Sequence, residues 1–170
     1  MTDPFELWLP FLARWEGGES NDPHDHGGRT VYGISAAANP DVDLDALTPA
    51  KLRELVRERY WRPCGGDALP PRLAIACADY GFNSGVGTAV RDMQRCVGAL
   101  PDGHVGPRTL EAVRAVDRDL AVALALNERR RARLRAIAGR PGQGRFLRGW
   151  LARVDALDEL LGENGDGGEA

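Results

Sequence analysis

What most constrains this chain is where its prolines stand. Pro4 follows Asp3, Pro49 follows Thr48, Pro71 follows Pro70 and Pro107 follows Gly106. Proline fits a helix best in its first turn, where the N–H it lacks would have had no partner. Each of these positions therefore predicts a helix start. Apolar residues then recur at helical spacing, as Phe5, Trp8, Leu9, Leu12 and Trp15 in the first segment and Leu52, Leu55, Val56 and Tyr60 in the second. Asp3 serves as N-cap of the first helix, with Glu6 as its capping-box partner. From Pro71 the run Leu73, Ala74, Ile75, Ala76, Cys77, Ala78 is apolar nearly all round, which predicts the buried centre of the fold. Ala89, Met93, Cys96 and Val97 mark a fourth helix, and Pro107 opens a fifth. A long helical pattern runs from Asp117 to Ala138 through Leu120, Leu124, Leu134 and Ile137, and a closing helix covers Phe146 to Val154. The basic stretch Glu128 to Arg135 reads as a solvated helix face. The whole predicts a mostly α fold of six or seven helices.

Chemistry concentrates where the first helix ends. Gly17 and Gly18 stop it just after Glu16. Carbonyl groups point at a side chain placed there, and the dipole's negative end disfavours a second negative charge. With Trp15 beside it, Glu16 has the surroundings a general acid needs, although a solvated helix-end carboxylate occupies the same place. Asp25 follows nine positions later and Thr30 five after that. Asp22-Pro23 and His26-Gly27-Gly28 are turn signals that can bring Asp25 back to face Glu16. Thr30-Val31-Tyr32-Gly33-Ile34 alternates like a strand of a small hairpin, with Thr30 and Tyr32 on one face. A glycosidase needs two carboxyl groups, or one and a positioned water, flanking the scissile bond. A polar surface hairpin would show the same residues.

Other classes are disfavoured. The net charge of −3 does not suit a polyanion binder, and the arginine-rich helix lacks interleaved aromatics, so nucleic acid is not an expected partner. No run is long and apolar enough to span a membrane, and the acidic start Met-Thr-Asp-Pro-Phe-Glu lacks the basic region of a signal peptide. Cys64, Cys77 and Cys96 lack metal-site spacing, so they read as small buried hydrophobes; no metal or other cofactor is expected. Residues 163–170 are glycine-rich and acidic and predict a disordered tail.

Glu16-Gly-Gly, Asn21-Asp-Pro and Asp25-x-Gly-Gly-x-Thr-x-Tyr-Gly-Ile-Ser35 together resemble glycoside hydrolase family 108, the N-acetylmuramidases. The resemblance continues through Leu69-Pro-Pro71, Asp79 with Asn83-Ser-Gly85, and a segment from Gln94 to Thr109 like peptidoglycan-binding modules. The chain departs from the family's habit at Glu19, where an aromatic is usual, and at His24, His26 and Arg29.

The resemblance implies a lysozyme-like domain over residues 1–162. Residues 1–62 would be a catalytic lobe with the small β-hairpin, and 63–162 a helical, peptidoglycan-binding-like lobe. It implies cleavage of the β-1,4 bond between N-acetylmuramic acid and N-acetylglucosamine, with Glu16 catalytic. Asp25 and Thr30 match, in order, the partners found in phage-type lysozymes and would handle the water, with inversion expected. Tyr32, Tyr80 and Asn83 would contact sugar; otherwise Tyr80 is core and Asn83 a helix cap. A lytic transglycosylase and a catalytically silent wall-binding protein are the alternatives. The expected partner is the peptidoglycan strand, bound by a monomer made in the cytoplasm. The protein would reach the periplasmic wall through a holin, a secretion route or lysis, in a phage, prophage or secretion setting.

Overall fold

The computed structural model describes residues 3–17, 19–20 and 30–163. Among them are seven α-helices: α1 (Pro4–Glu16), α2 (Pro49–Val56), α3 (Pro71–Ser84), α4 (Val86–Cys96), α5 (Pro107–Val116), α6 (Asp119–Ala138) and α7 (Leu147–Glu163). Between α1 and α2 lie three short strands, β1 (Glu19–Ser20), β2 (Thr30–Val31) and β3 (Ile34–Ser35). The chain divides into two compact units, one ending at Glu58 and the other beginning at Arg59.

In the first unit the Asp3 carboxylate accepts the Phe5 N–H at 3.0 Å and Pro4 begins the helix, as a proline start requires. The Glu6 carboxylate, predicted to complete a capping box, is instead paired with Arg53 of α2. Arg57 reaches Asp3 at 3.4 Å, and both guanidinium groups lie over the Phe5 ring, 5.5 and 4.9 Å from its centre. Phe5, Trp8 and Leu12 are the buried stripe of α1, and Val31, Ile34, Leu44 and Val56 are buried with them in this unit. Thr48 caps α2, its hydroxyl accepting the Lys51 N–H at 3.3 Å.

The strands form one antiparallel sheet in the order β1-β2-β3. Glu19 pairs with Val31 and Ser20 with Thr30; Thr30 pairs with Ser35 and Val31 with Ile34. Tyr32 and Gly33 close the second hairpin with φ of +50° and +77°. A two-residue hairpin loop with both φ positive matches the twist of its strands. The strand therefore ends at Val31, and Tyr32 belongs to the turn rather than to the face that Thr30 was expected to share.

The second unit is built on α3, where every residue from Leu73 to Gly81 is buried. Pro70 offers α3 no side-chain cap, and Asp119 at the start of α6 supplies one. Its carboxylate accepts the N–H groups of Arg72 and Leu73 at 3.0 and 2.8 Å. Asp117 is the left-handed end of α5, so the long helix starts two residues later than its sequence pattern suggested. The buried face of α6 is Val122, Ala123, Leu126, Asn127, Arg130 and Leu134, whereas Leu120, Leu124 and Ile137 are only partly covered. The expected solvated face is thus corrected at Arg130, which is 2 % exposed. The helix turns this charge inward because a carboxylate waits for it on α3.

Cys64 and Cys77 are buried free thiols, and a hydrogen bond with Cys64 together with burial pushes the Cys77 thiol upward. No helix among the described residues is long and apolar enough to cross a membrane. The helix α7 extends through Gly162 and Glu163, past the predicted start of the tail, and residues 164–170 lie outside the described residues.

Candidate active site

Glu16 is the last residue of α1 and is partly exposed. Gly17 follows with φ +62°, a conformation that favours glycine, and leads the chain straight into β1. Two residues, Gly17 and Gly18, join the helix end to β1, which keeps the sheet near the helix terminus, and the Tyr32-Gly33 turn meets Glu16. A Cβ placed on Gly33 would lie 2.6 Å from Glu16 Oε2 and 2.7 Å from its Cγ. The glycine thus does two things: it adopts a positive φ, and it leaves the space the Glu16 carboxylate occupies. Sequence reasoning chose Glu16 and missed Gly33, although Tyr-Gly between two apolar residues was a turn signal.

Thr30 stands on β2 in register with Ser20 on one side and Ser35 on the other. Asp25, with its chain neighbours His24 and His26, falls in 21–29, outside the described residues. The two residues flanking that segment, Ser20 and Thr30, are direct register partners. Tyr32 is 45 % exposed. Its ring lines an apolar pocket of about 180 Å³ with Leu9, Leu12, Ala13, Leu52 and Val56. The first unit therefore sets a partly open carboxylate beside a glycine turn, next to a small apolar pocket with an exposed aromatic wall.

Tyr80 and Asn83 belong to the second unit, and the sugar-stacking role expected for Tyr80 is corrected. Its side chain has no exposed surface, and its hydroxyl donates to Asp92 Oδ2 at 2.8 Å. Burial, then the bond to Asp92, pushes the phenol well above its ordinary range, so it stays a donor. Burial works to raise the Asp92 carboxyl, but hydrogen bonds from Tyr80 and Arg95 and the nearby Arg129 bring it below its usual value.

Asp79, one residue before Tyr80, is also fully buried. It receives Arg130 at 2.8 Å and a two-pronged contact from Arg153, at 3.1 Å to Oδ2 and 2.8 Å to Oδ1. Asn83 Oδ1 accepts the other Arg130 Nη at 2.5 Å, although Asn83 as a whole remains exposed. These bonds tie α3 to α6 and α7. Asp79 and Asn83 were visible as a motif; Arg130 and Arg153 were not, because nothing local marks an arginine whose partner lies 51 or 74 residues away.

The family model Glycosyl hydrolase 108 matches residues 9–85, and a Predicted Peptidoglycan domain matches residues 88–155. The solved structure of Brucella abortus SagA is similar over 97 % of this chain and 98 % of that one, at 32 % identity and a TM-score of 0.82. The chain belongs to glycosyl hydrolase family 108. No curated protein sequence matches it. The family 108 fold here is the mostly α, lysozyme-like one expected, with the predicted hairpin extended to three strands. This family 108 protein is a glycoside hydrolase of peptidoglycan.

Proposed function

We propose that the chain is an N-acetylmuramidase that hydrolyses the β-1,4 bond between N-acetylmuramic acid and N-acetylglucosamine, with Glu16 as the general acid. The observation that carries this is the seat of Glu16 at the end of α1, against Gly33 and beside the apolar pocket walled by Tyr32. Glu16 protonates the leaving oxygen as the glycosidic bond breaks. Asp25, with Thr30, accepts a proton from the attacking water. The product then carries the inverted, α-configured muramic end, which requires the two carboxyl groups to stand roughly 6.5–9.5 Å apart. Tyr32 offers its ring to the apolar face of a sugar. The enzyme acts as a monomer on the periplasmic wall once a holin, secretion or lysis has released it.

Mass spectrometry of digested peptidoglycan tests this reading. Reducing muramic ends are expected. Anhydro-muramic ends would mean transglycosylation, and reducing glucosamine ends would mean the other glycosidic bond is cut. Proton NMR of the first product, read before mutarotation, should show the α-anomer; a β-anomer appearing first would rule out water activation by Asp25.

A further inference from the structure

The second unit holds a groove of about 600 Å³ that the proposed chemistry does not use. Its walls are the 62–68 turn, the start of α4 and the Asp102-Gly103-His104 turn. The last of these is fastened to α4 by Gln94. That side chain's amide donates to Asp102 Oδ1 at 2.7 Å and to the His104 carbonyl at 3.0 Å, while its oxygen accepts the Gly103 N–H at 2.9 Å. The groove is therefore a built wall rather than a loose loop.

Arg91 rises from α4 into this space. A Cβ on Gly103 would lie 3.0 Å from its Nη1, and one on Gly87 would lie 3.2 Å away. Two glycines thus make the slot in which the guanidinium lies. The acids of the groove are otherwise engaged. Asp67 accepts Trp61 Nε1 at 2.8 Å and pairs with Arg62 at 3.2 Å, and Asp102 holds Gln94 and the His104 N–H. Among the described residues Arg91 has neither hydrogen bond nor ion pair, so a slotted, partnerless guanidinium faces the groove.

We infer that this groove binds the peptide stem of peptidoglycan, with Arg91 taking a stem carboxylate. The inference rests on peptidoglycan being the substrate. A guanidinium fork matches a carboxylate in two parallel hydrogen bonds. The glycan's sugars lack a free carboxylate once the muramic lactyl group is joined to its peptide, whereas the stem carries several. Asp67 and Asp102 in the same groove oppose a phosphate dianion more strongly than a singly charged carboxylate.

Isothermal titration calorimetry on the full chain decides it, with two probes: a disaccharide muropeptide bearing its stem, and the stripped disaccharide whose lactyl group is capped as an uncharged methylamide in place of the stem. Wild type should bind the stem-bearing probe more tightly. Arg91→Gln should weaken that binding roughly tenfold and leave the stripped probe unchanged. Arg91→Lys, which keeps the charge but not the fork, should fall between. Arg91 is exposed, so circular dichroism should show both variants folded. Equal affinity of Arg91→Gln and wild type for the stem-bearing probe overturns the inference, as does equal loss on both probes or a wild type without preference. Product release from whole sacculi is measured on the same wild-type preparation. Normal release beside any of those results means the groove assignment fails while the muramidase reading stands; no release at all sinks the muramidase reading itself.

Discussion

Glu16 and Asp79 are both carboxylates on helices, and the two units treat them in opposite ways. Asp79 has no exposed surface and receives N–H bonds from two arginines on two other helices. Glu16 ends its helix, keeps part of its surface open and is seated against a glycine turn. A carboxylate enclosed by guanidinium groups has its acceptor sites filled by structure. One seated where a glycine makes room keeps part of its surface in solvent. Under the proposed function the contrast separates scaffold from chemistry, and substitutions in each unit can break or sharpen it.

The largest effect should come from Glu16→Gln. The amide keeps the shape but has no acidic proton, so turnover of purified wall should fall about 10²–10⁴-fold with an unchanged melting temperature. Activity within a few-fold of wild type would remove Glu16 from the chemistry.

Asp79→Ala should do the reverse. It leaves Arg130 and Arg153 buried without their shared partner, which costs about 3–5 kcal/mol in denaturant unfolding. Loss below about 1 kcal/mol would mean water reaches those arginines and the cluster is not a scaffold. The fraction that stays folded should retain its activity per molecule.

Asp25→Asn keeps a turn-forming side chain and removes a base. If Asp25 handles the water, turnover should drop by about 10²-fold or more. Near-normal turnover would leave Glu16 without this partner and point to Glu19 or Asp22.

Gly33→Ala probes the seat of Glu16 directly. The positive φ costs about 1 kcal/mol, and the new Cβ must push the carboxylate aside. Turnover should fall roughly ten- to a hundredfold, well beyond what that stability change explains. A variant that only melts earlier would show that the contact is not used in catalysis.

The smallest effect belongs to Tyr80→Phe. Losing the bond to Asp92 should cost about 0.5–1.5 kcal/mol, with kcat/KM unchanged. A large rise in KM without loss of stability would return Tyr80 to the sugar site.

The sequence by itself determined the helix starts, because proline position and side-chain capping act within a few residues: Asp3-Pro4 and Thr48-Pro49 behave as they read. It also pointed to Glu16, since a helix end marked by Gly17 is a local event. It overreached at Tyr32, where the two-residue turn ended the strand at Val31, three residues before the expected Ile34. The tertiary structure alone decided which arginines of the basic α6 run go inward, since Glu128 to Arg135 reads as one solvated stripe until Asp79 is placed opposite Arg130. It alone chose the core over the sugar groove for Tyr80 and set the Glu16 carboxylate on Gly33. The physical reason is range: caps and turns are settled between near neighbours in the chain, whereas burying a charge is favourable only when a distant partner arrives to meet it.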